Sequence, residues 1–306
     1  MVMSNEEIKG KSILACVEIN RFAEDVLVSR GSRIGSGMGM LLEALWGYYM
    51  NSVLQSEQVE IGWFPEHQYH DFVCLQKDKA WNPETREGEI FRLEVKSMNL
   101  DADESKGHFD VLQQELTPTD LLLIMVWKWK SLDATHAVPQ IIDHFIGASI
   151  EIAALRDALH LARGGSFVSK GNCPETCACQ TICKNDGEPL NAAGKRERLS
   201  GPESARPSAK VSYAANFGGL IRMLKTSSEE SRAVFRKIRR EDNTAHEYIS
   251  FIHRNYPSEE ENQFTKDEWL AVAQKLKIEA ANLPKPELIA AIRLADNGYR
   301  EILRTV

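Results

Sequence analysis

The sequence predicts an α/β chain: a mixed sheet flanked by helices in the first half, then a cysteine-rich element, then an all-helical C-terminal region. Three observations lead there. Apolar runs with period two follow two helical patterns before residue 135. Four of the chain's cysteines crowd into residues 173 to 183. Beyond residue 211 only helix-period patterns remain. The expected boundaries are 1–168 for the core with its N-terminal helices, 169–210 for the cysteine element and a basic linker, and 211–306 for a helical domain.

Taken in order, residues 4 to 30 read as a helix that the stretch Gly31-Ser32-Arg33-Ile34-Gly35-Ser36-Gly37 breaks. A second helix follows over about 38 to 55, apolar on nearly all sides and therefore expected against a sheet. Three strand-like stretches come next, VEIGWF (59 to 64), YHDFVCLQ (69 to 76) and EIFRLEVKSM (89 to 98). HFDVLQQEL (108 to 116) reads as a helix and DLLLIMVWKW (120 to 129) as a central strand buried on both faces, which gives the order helix, three strands, helix, strand. Val138 to Arg163 reads as one or two helices closed by Gly164-Gly165. Residues 185 to 210, rich in Gly, Pro, Ser and charge, read as a linker. Helices are then expected over about 216 to 225, 228 to 241 and 244 to 254. One more is opened by the capping-box pattern Thr265-Lys266-Asp267-Glu268, and another runs from Pro286.

At 306 residues, 43% hydrophobic and 26% charged, the chain can bury a sizeable core. No run of 18 apolar residues occurs and the first residues carry acids rather than an apolar stretch, so a cytoplasmic protein without membrane contact is expected. The net charge of −7 is uneven: Lys195 to Arg240 hold 12 Lys+Arg against 4 Asp+Glu, a net of +8, leaving −15 elsewhere. A local basic belt is what phosphate contacts require, whatever the distant charge, although a solvated linker and helix face would look the same.

The stretch FRLEVKSM poses the chemical question. Phe91, Leu93 and Val95 form an apolar row on one face of the strand, while Arg92, Glu94 and Lys96 line the other. Taken alone, Glu94 and Lys96 are an ordinary exposed pair. On the preceding strand, however, Asp71 can come beside Glu94 in an antiparallel meander, bringing two carboxylates and an ammonium to one point. Such like charges are stable together when a divalent cation lies between them, and Mg²⁺ takes a few carboxylate oxygens with water and substrate phosphate. Lys96 would then face a metal-bound substrate. Glu43 is the one charged residue from Ile34 to Ser56, so it is expected either at a wet edge of its helix or facing a cation.

Together these residues resemble the PD-(D/E)XK nuclease superfamily, the fold of many restriction endonucleases: a helix with Glu43, a strand with Asp71, Glu94-Val95-Lys96 on the next strand, a helix with Gln113, and a last apolar strand. The resemblance covers about residues 30 to 135. It implies that Asp71 and Glu94 hold Mg²⁺ with the backbone carbonyl of Val95, that Lys96 takes the lysine role, and that Glu43 is the first-helix glutamate. Gln113 or Gln114 would stand for the glutamine of the helix after the lysine. His70 occupies the place of the name-giving proline, and Asp78, Glu84 or Glu89 can replace Asp71 in principle. Asp71 is preferred because it lies in an apolar, strand-like run. The implied reaction is Mg²⁺-dependent hydrolysis of a phosphodiester, with Lys96 positioning the nucleophile and offsetting negative charge. Lys106 and His108 are candidate phosphate contacts, with solvated surface as the alternative for each.

The motif C-x3-C-x-C-x3-C places Cys173, Cys177, Cys179 and Cys183 as a ligand set for structural Zn²⁺, with an iron–sulfur cluster as the alternative. The basic belt begins just after it. Arg196, Arg198, Arg206 and Lys210 lie in the linker, and Arg232, Arg236 and Arg239 recur at helical spacing, a face able to follow a DNA backbone. Tyr213 and Phe217, like Trp127 and Trp129, read first as core and second as base-stacking platforms. The reading expected overall is a Mg²⁺-dependent DNA endonuclease of type II restriction or phage-defence kind, acting alone or as a homodimer. Its alternatives are an inactive nuclease-fold adaptor for nucleic acid or protein, and a nuclease effector subunit with partner defence proteins.

Overall fold

The computed structural model describes residues 3–28, 35–64, 70–102, 107–169, 186–192, 194, 217–224, 228–241, 243–280, 282–296 and 298–306. The chain divides into two compact units, Met1–Ala154 and Leu155–Val306.

In the first unit, helix α1 (Asn5–Val26) starts at a capping box: Glu7 N–H donates to Ser4 Oγ at 3.3 Å, and Ser4 N–H donates to Glu7 Oε2 at 2.7 Å. Helix α2 (Gly35–Val53) packs on α1, and the indole N–H of fully buried Trp46 donates to Ser12 Oγ at 2.9 Å. The side of α2 toward the sheet carries glycines at the closest approaches. A Cβ at Gly47 would lie 2.4 Å from the Phe72 ring, and one at Gly39 2.6 Å from Ser97 Oγ. Past the end of α2, Lys77 Nζ donates to the carbonyl of Glu57 at 2.8 Å.

Five strands form one sheet in the order β1 (Val59–Trp63), β2 (Phe72–Gln76), β3 (Glu89–Asn99), β4 (Leu121–Ser131) and β5 (Ala137–Ala148). All neighbours are antiparallel except β3 and β4, which run parallel, so the sheet is mixed. The alternation read in β3 holds: Phe91, Leu93 and Val95 join the core with Trp46, Leu42 and Ile19 of the helices, and Arg92, Glu94 and Lys96 take the other face. β4 is buried on both faces, with Leu121 through Trp127 at most 1% exposed. Both outer strands are met by an asparagine from a helix. Asn51 of α2 gives Nδ2–H to the Ile61 carbonyl at 2.8 Å and accepts Ile61 N–H at 2.7 Å. Asn20 of α1 does the same to Ile141 on β5, both bonds at 2.8 Å.

Two expected elements of this unit differ. Residues 137 to 148, read as helix, form β5: Pro139 is unsuited to a helix interior, Val138, Ile141 and Ile142 favour a strand, and Asp133 accepts Thr135 N–H and His136 N–H to fold the tight turn from β4. The helix α3 (Ser149–Ala162) starts only after it. Residues 108 to 116 hold a single 3-10 turn, Gln113–Glu115, because Phe109 and Val111 are buried alternately, as in extended chain, and Pro118 follows.

In the second unit, β6 (Ser166–Phe167) and β7 (Pro189–Leu190) pair as a short ribbon. The His160 and Phe167 rings lie 5.0 Å apart, and Arg156, 1% exposed, sits over the half-buried Phe217 ring at 4.4 Å, so Phe217 packs against this group. Of the helix expected over 216 to 225, the described part is turns and a 3-10 stretch, Arg222–Leu224. The helices that follow are α4 (Glu229–Ile238), α5 (Thr244–Asn255), α6 (Pro257–Gln263), α7 (Lys266–Lys275), α8 (Lys285–Ala295) and α9 (Tyr299–Thr305). The capping box read at Thr265 is present and opens α7. α6, started by Pro257, was not read from the sequence, and the helix expected from Pro286 is two, α8 and α9. Their core gathers Phe264, Trp269, Leu288, Ile292 and Leu303. Among the described residues no helix is long and apolar enough to cross a membrane.

Candidate active site

The site arises because β3 is longer than its neighbour. The β2–β3 ladder starts at Phe72 opposite Leu93, so Asp71, one residue ahead of β2, comes level with Glu94. From there β3 continues to Asn99 with no strand beside it among the described residues, and its outward N–H groups need other acceptors. Carboxylates supply them. Asp71 N–H donates to the Leu93 carbonyl at 3.1 Å, Val95 N–H donates to Asp71 Oδ2 at 2.8 Å, and Ser97 N–H donates to Glu43 Oε1 at 3.1 Å. The Val95 carbonyl leaves the strand toward the same edge as its N–H. Glu43 reaches this edge because α2 passes close over Ser97 at Gly39, one turn earlier.

The charges are crowded and poorly hydrated. Glu94 is 5% exposed; its Oε1 is ion-paired with the Lys96 ammonium, and its Oε2 is buried with no hydrogen-bond partner among the described residues. Burial pushes the Glu94 carboxyl up to about 8 against the pull of Lys96, and the charges of Asp71 and Glu43 push the same way. Burial likewise lifts Glu43 to about 7 and raises Asp71. Lys96 loses hydration too, but the charge of Glu94, with Asp71 and Glu43 behind it, holds its ammonium above the usual range. Among the described residues Lys96 is the ammonium that faces Glu43, Asp71 and Glu94, and the raised carboxyl values mark acids that hold protons which a bound cation would displace.

Among the described residues no group of three or more His, Cys, Asp or Glu side chains is arranged to hold a metal ion. Glu43 is engaged with Ser97 N–H, and Asp71 and Glu94 remain as the pair. Mg²⁺ is commonly held by one or two carboxylates, completed by water and substrate phosphate, so the donor set fits that ion. The unpartnered Glu94 Oε2 is the atom that such an ion would satisfy.

A second charged cluster backs the site. Asp120, fully buried at the start of β4, accepts from Arg86 Nη2 at 2.5 Å, Arg86 Nη1 at 3.3 Å and Thr117 N–H at 2.8 Å. Burial opposes its ionisation, yet the Arg86 hydrogen bond holds its carboxyl below the ordinary value. His70 Nε2 lies 3.7 Å from Asp120 Oδ2, and burial pushes that imidazole down to about 4, so it is neutral. Sequence reasoning missed this cluster; part of it, Arg86, Glu89 and Arg92, lies in the charge-rich stretch around Trp81 to Arg92.

Glu43, Asp71, Glu94, Val95 and Lys96 are thus brought together. The substitutes for Asp71 are not: Asp78 and Glu84 are exposed in turns, and Glu89 is held by Arg86, Arg92 and Trp81. Gln113 is half-buried on its 3-10 turn and Gln114 exposed, so the helix that was to carry a glutamine is lacking. His108 is exposed, and Trp127 is buried against Trp129. Arg232 and Arg236 lie on one face of α4 but are both paired with Glu229, and Arg239 is 6% exposed, over the Phe264 ring at 4.2 Å and donating to the Leu303 carbonyl at 3.1 Å. Arg239 therefore packs inside the helical unit rather than on a free basic face. Cys173, Cys177, Cys179 and Cys183, with Lys106, Arg196, Arg198, Arg206, Lys210 and Tyr213, lie outside the described residues. Compared with protein-family models and with curated proteins, the chain matches none.

Proposed function

We propose that the first unit is a restriction-endonuclease-like nuclease core that hydrolyses phosphodiester bonds of DNA with Mg²⁺, in restriction or phage defence. The observation that carries this is the level placement of Asp71 and Glu94, two buried acids close enough to interact directly, with Lys96 ion-paired to Glu94 beside them. Asp71, Glu94 and the Val95 carbonyl would hold the ion, which when bound would polarise the scissile phosphate and make its water more acidic. Lys96 stands on the same strand face as Glu94 and offers its ammonium to the negative charge that builds on the phosphate. Glu43, fastened to Ser97 N–H, keeps the free edge of β3 in place and adds negative charge behind the ligands. In this reading Cys173, Cys177, Cys179 and Cys183 take a structural Zn²⁺, and Arg196, Arg198, Arg232 and Arg236 contact phosphates, Arg232 and Arg236 after leaving Glu229; Arg239 drops out of that grip.

The test is plasmid cleavage by the full chain with Mg²⁺ against EDTA, with DNA binding measured alongside. Glu94→Ala and Lys96→Ala are each expected to abolish nicking while leaving binding within about threefold. Plasmid bound but uncut by the native chain in Mg²⁺ and in Mn²⁺ would overturn the hydrolase reading and leave an adaptor. Cutting that survives Glu94→Ala would place the chemistry elsewhere.

A further inference from the structure

Asp71 has to be held in place without a strand of its own, because it precedes β2 by one residue. What surrounds it is a closed circuit of contacts. From Asp120 the circuit runs to Arg86 at 2.5 Å, from Arg86 Nε to Glu89 at 3.0 Å, from Glu89 to Arg92 Nε at 2.8 Å, and from the Arg92 guanidinium to the Phe64 ring at 5.1 Å. Phe64 N–H then donates to the Asp71 carbonyl at 3.2 Å, and on the other side of Asp71 the neutral His70 ring packs beside Asp120, its Nε2 3.7 Å from Oδ2 and beyond hydrogen-bond length. The two acids of the circuit are withdrawn from water, the side chains of Asp120 and Glu89 being at most 2% exposed, while Arg86 and Arg92 keep part of their side chains in solvent. Arg86 moreover stands at φ +62°, in the left-handed region that an arginine rarely enters. Buried charge and backbone strain are both unfavourable beside plain apolar packing, and where they gather around one spot they point to a positional requirement there.

We infer that Asp120 is a positioning residue which, through this circuit, fixes the backbone of Asp71 level with Glu94 so that the two carboxylates take one divalent cation. The inference rests on the reading of Asp71 and Glu94 as ligands. Asp120 does not touch that ion; it acts on the residues either side of Asp71, through His70 and through Arg86, Glu89, Arg92 and Phe64.

The test measures Mn²⁺ affinity of the full chain by the loss of the free-ion electron paramagnetic resonance signal, with melting temperature recorded separately. Asp120→Asn keeps the shape and a single acceptor, and His70→Leu opens the circuit while leaving the Arg86–Asp120 pair intact. Each is expected to weaken Mn²⁺ binding about tenfold or more, the range for groups that orient metal ligands, at temperatures where the variant stays folded. Native affinity in both folded variants overturns the role of Asp120 alone. Binding that is absent in the native chain, or undiminished in Glu94→Ala, overturns the ligand reading beneath it and the inference with it.

Discussion

Raising the pH of the protein from 6.5 to 9 in EDTA is expected to destabilise the unit that carries the acids. Glu43 and Glu94, at about 7 and about 8 when folded, keep protons that the unfolded chain releases near 4.5. A carboxyl whose folded pKa is raised loses stability as the pH climbs from its unfolded to its folded value. His70, pushed down to about 4, is neutral when folded but half charged when unfolded at pH 6.5, so it adds a small opposing gain of about 0.4 kcal/mol as the pH rises, and Lys96, raised, stays charged. From pH 6.5, Glu43 contributes half a unit and Glu94 one and a half before they titrate; at about 1.4 kcal/mol per unit the loss is about 3 kcal/mol. Glu94→Gln cannot ionise and should lose the Glu94 share of this fall, keeping the Glu43 share of about 0.7 kcal/mol and the smaller loss that the buried thiols Cys16 and Cys74, pushed up to about 12, give native and variant alike near pH 9. Urea unfolding followed by tryptophan fluorescence reads this unit selectively, because Trp46, Trp63, Trp81, Trp127 and Trp129 lie in it and only Trp269 lies outside. Mg²⁺ at pH 9, at one hundred times its dissociation constant, should restore about 2.7 kcal/mol to the native chain and little to the variant. An equal pH loss in native and Glu94→Gln proteins would refute the idea that these carboxyls share a poorly hydrated edge.

Asn51→Ala and Asn20→Ala should each cost about 1–3 kcal/mol in urea unfolding, since each leaves a main-chain N–H and carbonyl of an outer strand without its partner. The two losses should add within about 0.5 kcal/mol, as the sites are at opposite edges of the sheet; a loss below 0.5 kcal/mol in either would show that water replaces the amide freely. In the helical unit, Glu260 is 1% exposed and accepts from Arg300 at 2.8 Å, Arg293 at 3.2 Å and Tyr299 at 2.6 Å, so Glu260→Ala is expected to cost about 3–5 kcal/mol by near-ultraviolet dichroism melts. Burial works against its charge but Arg300 and Tyr299 hold its carboxyl below the ordinary 4.5, so that stabilisation is complete above that pH and should fade on acidification.

What could be read from the residues was what periodicity and spacing encode. The two faces of FRLEVKSM, the lone glutamate of α2 and the capping box at Thr265 are local patterns with one physical interpretation each, and the structure carries all three. The placement of Asp71 beside Glu94 followed from assuming the shortest antiparallel connection between two strands. β5 was missed because an apolar run such as IIDHFIGASIEIAAL keeps no single period: strand and helix meet inside it at Ala148 and Ser149. The circuit through Asp120 was illegible for another reason. Its partners come from four separate stretches, 64, 70, 86–92 and 120, and only the closed sheet makes them neighbours. The pairing of Arg232 and Arg236 with Glu229, three and seven residues away, shows how an arginine stripe counted as a basic face can be neutralised by its own helix.

The asparagine of α1 has a consequence for how the molecule is made. Asn20 and Ile141 are 121 positions apart, so the pair of bonds that ties α1 to the edge of the sheet cannot form until β5 has been synthesised. During synthesis α1 can meet α2 early, but the part of its apolar side that faces β5 stays uncovered while β1 to β4 appear in turn. Its docking on β5 is therefore a late event that reports the sheet as finished, and a chain stalled before residue 141 should hold α1 loose enough for a protease to clip.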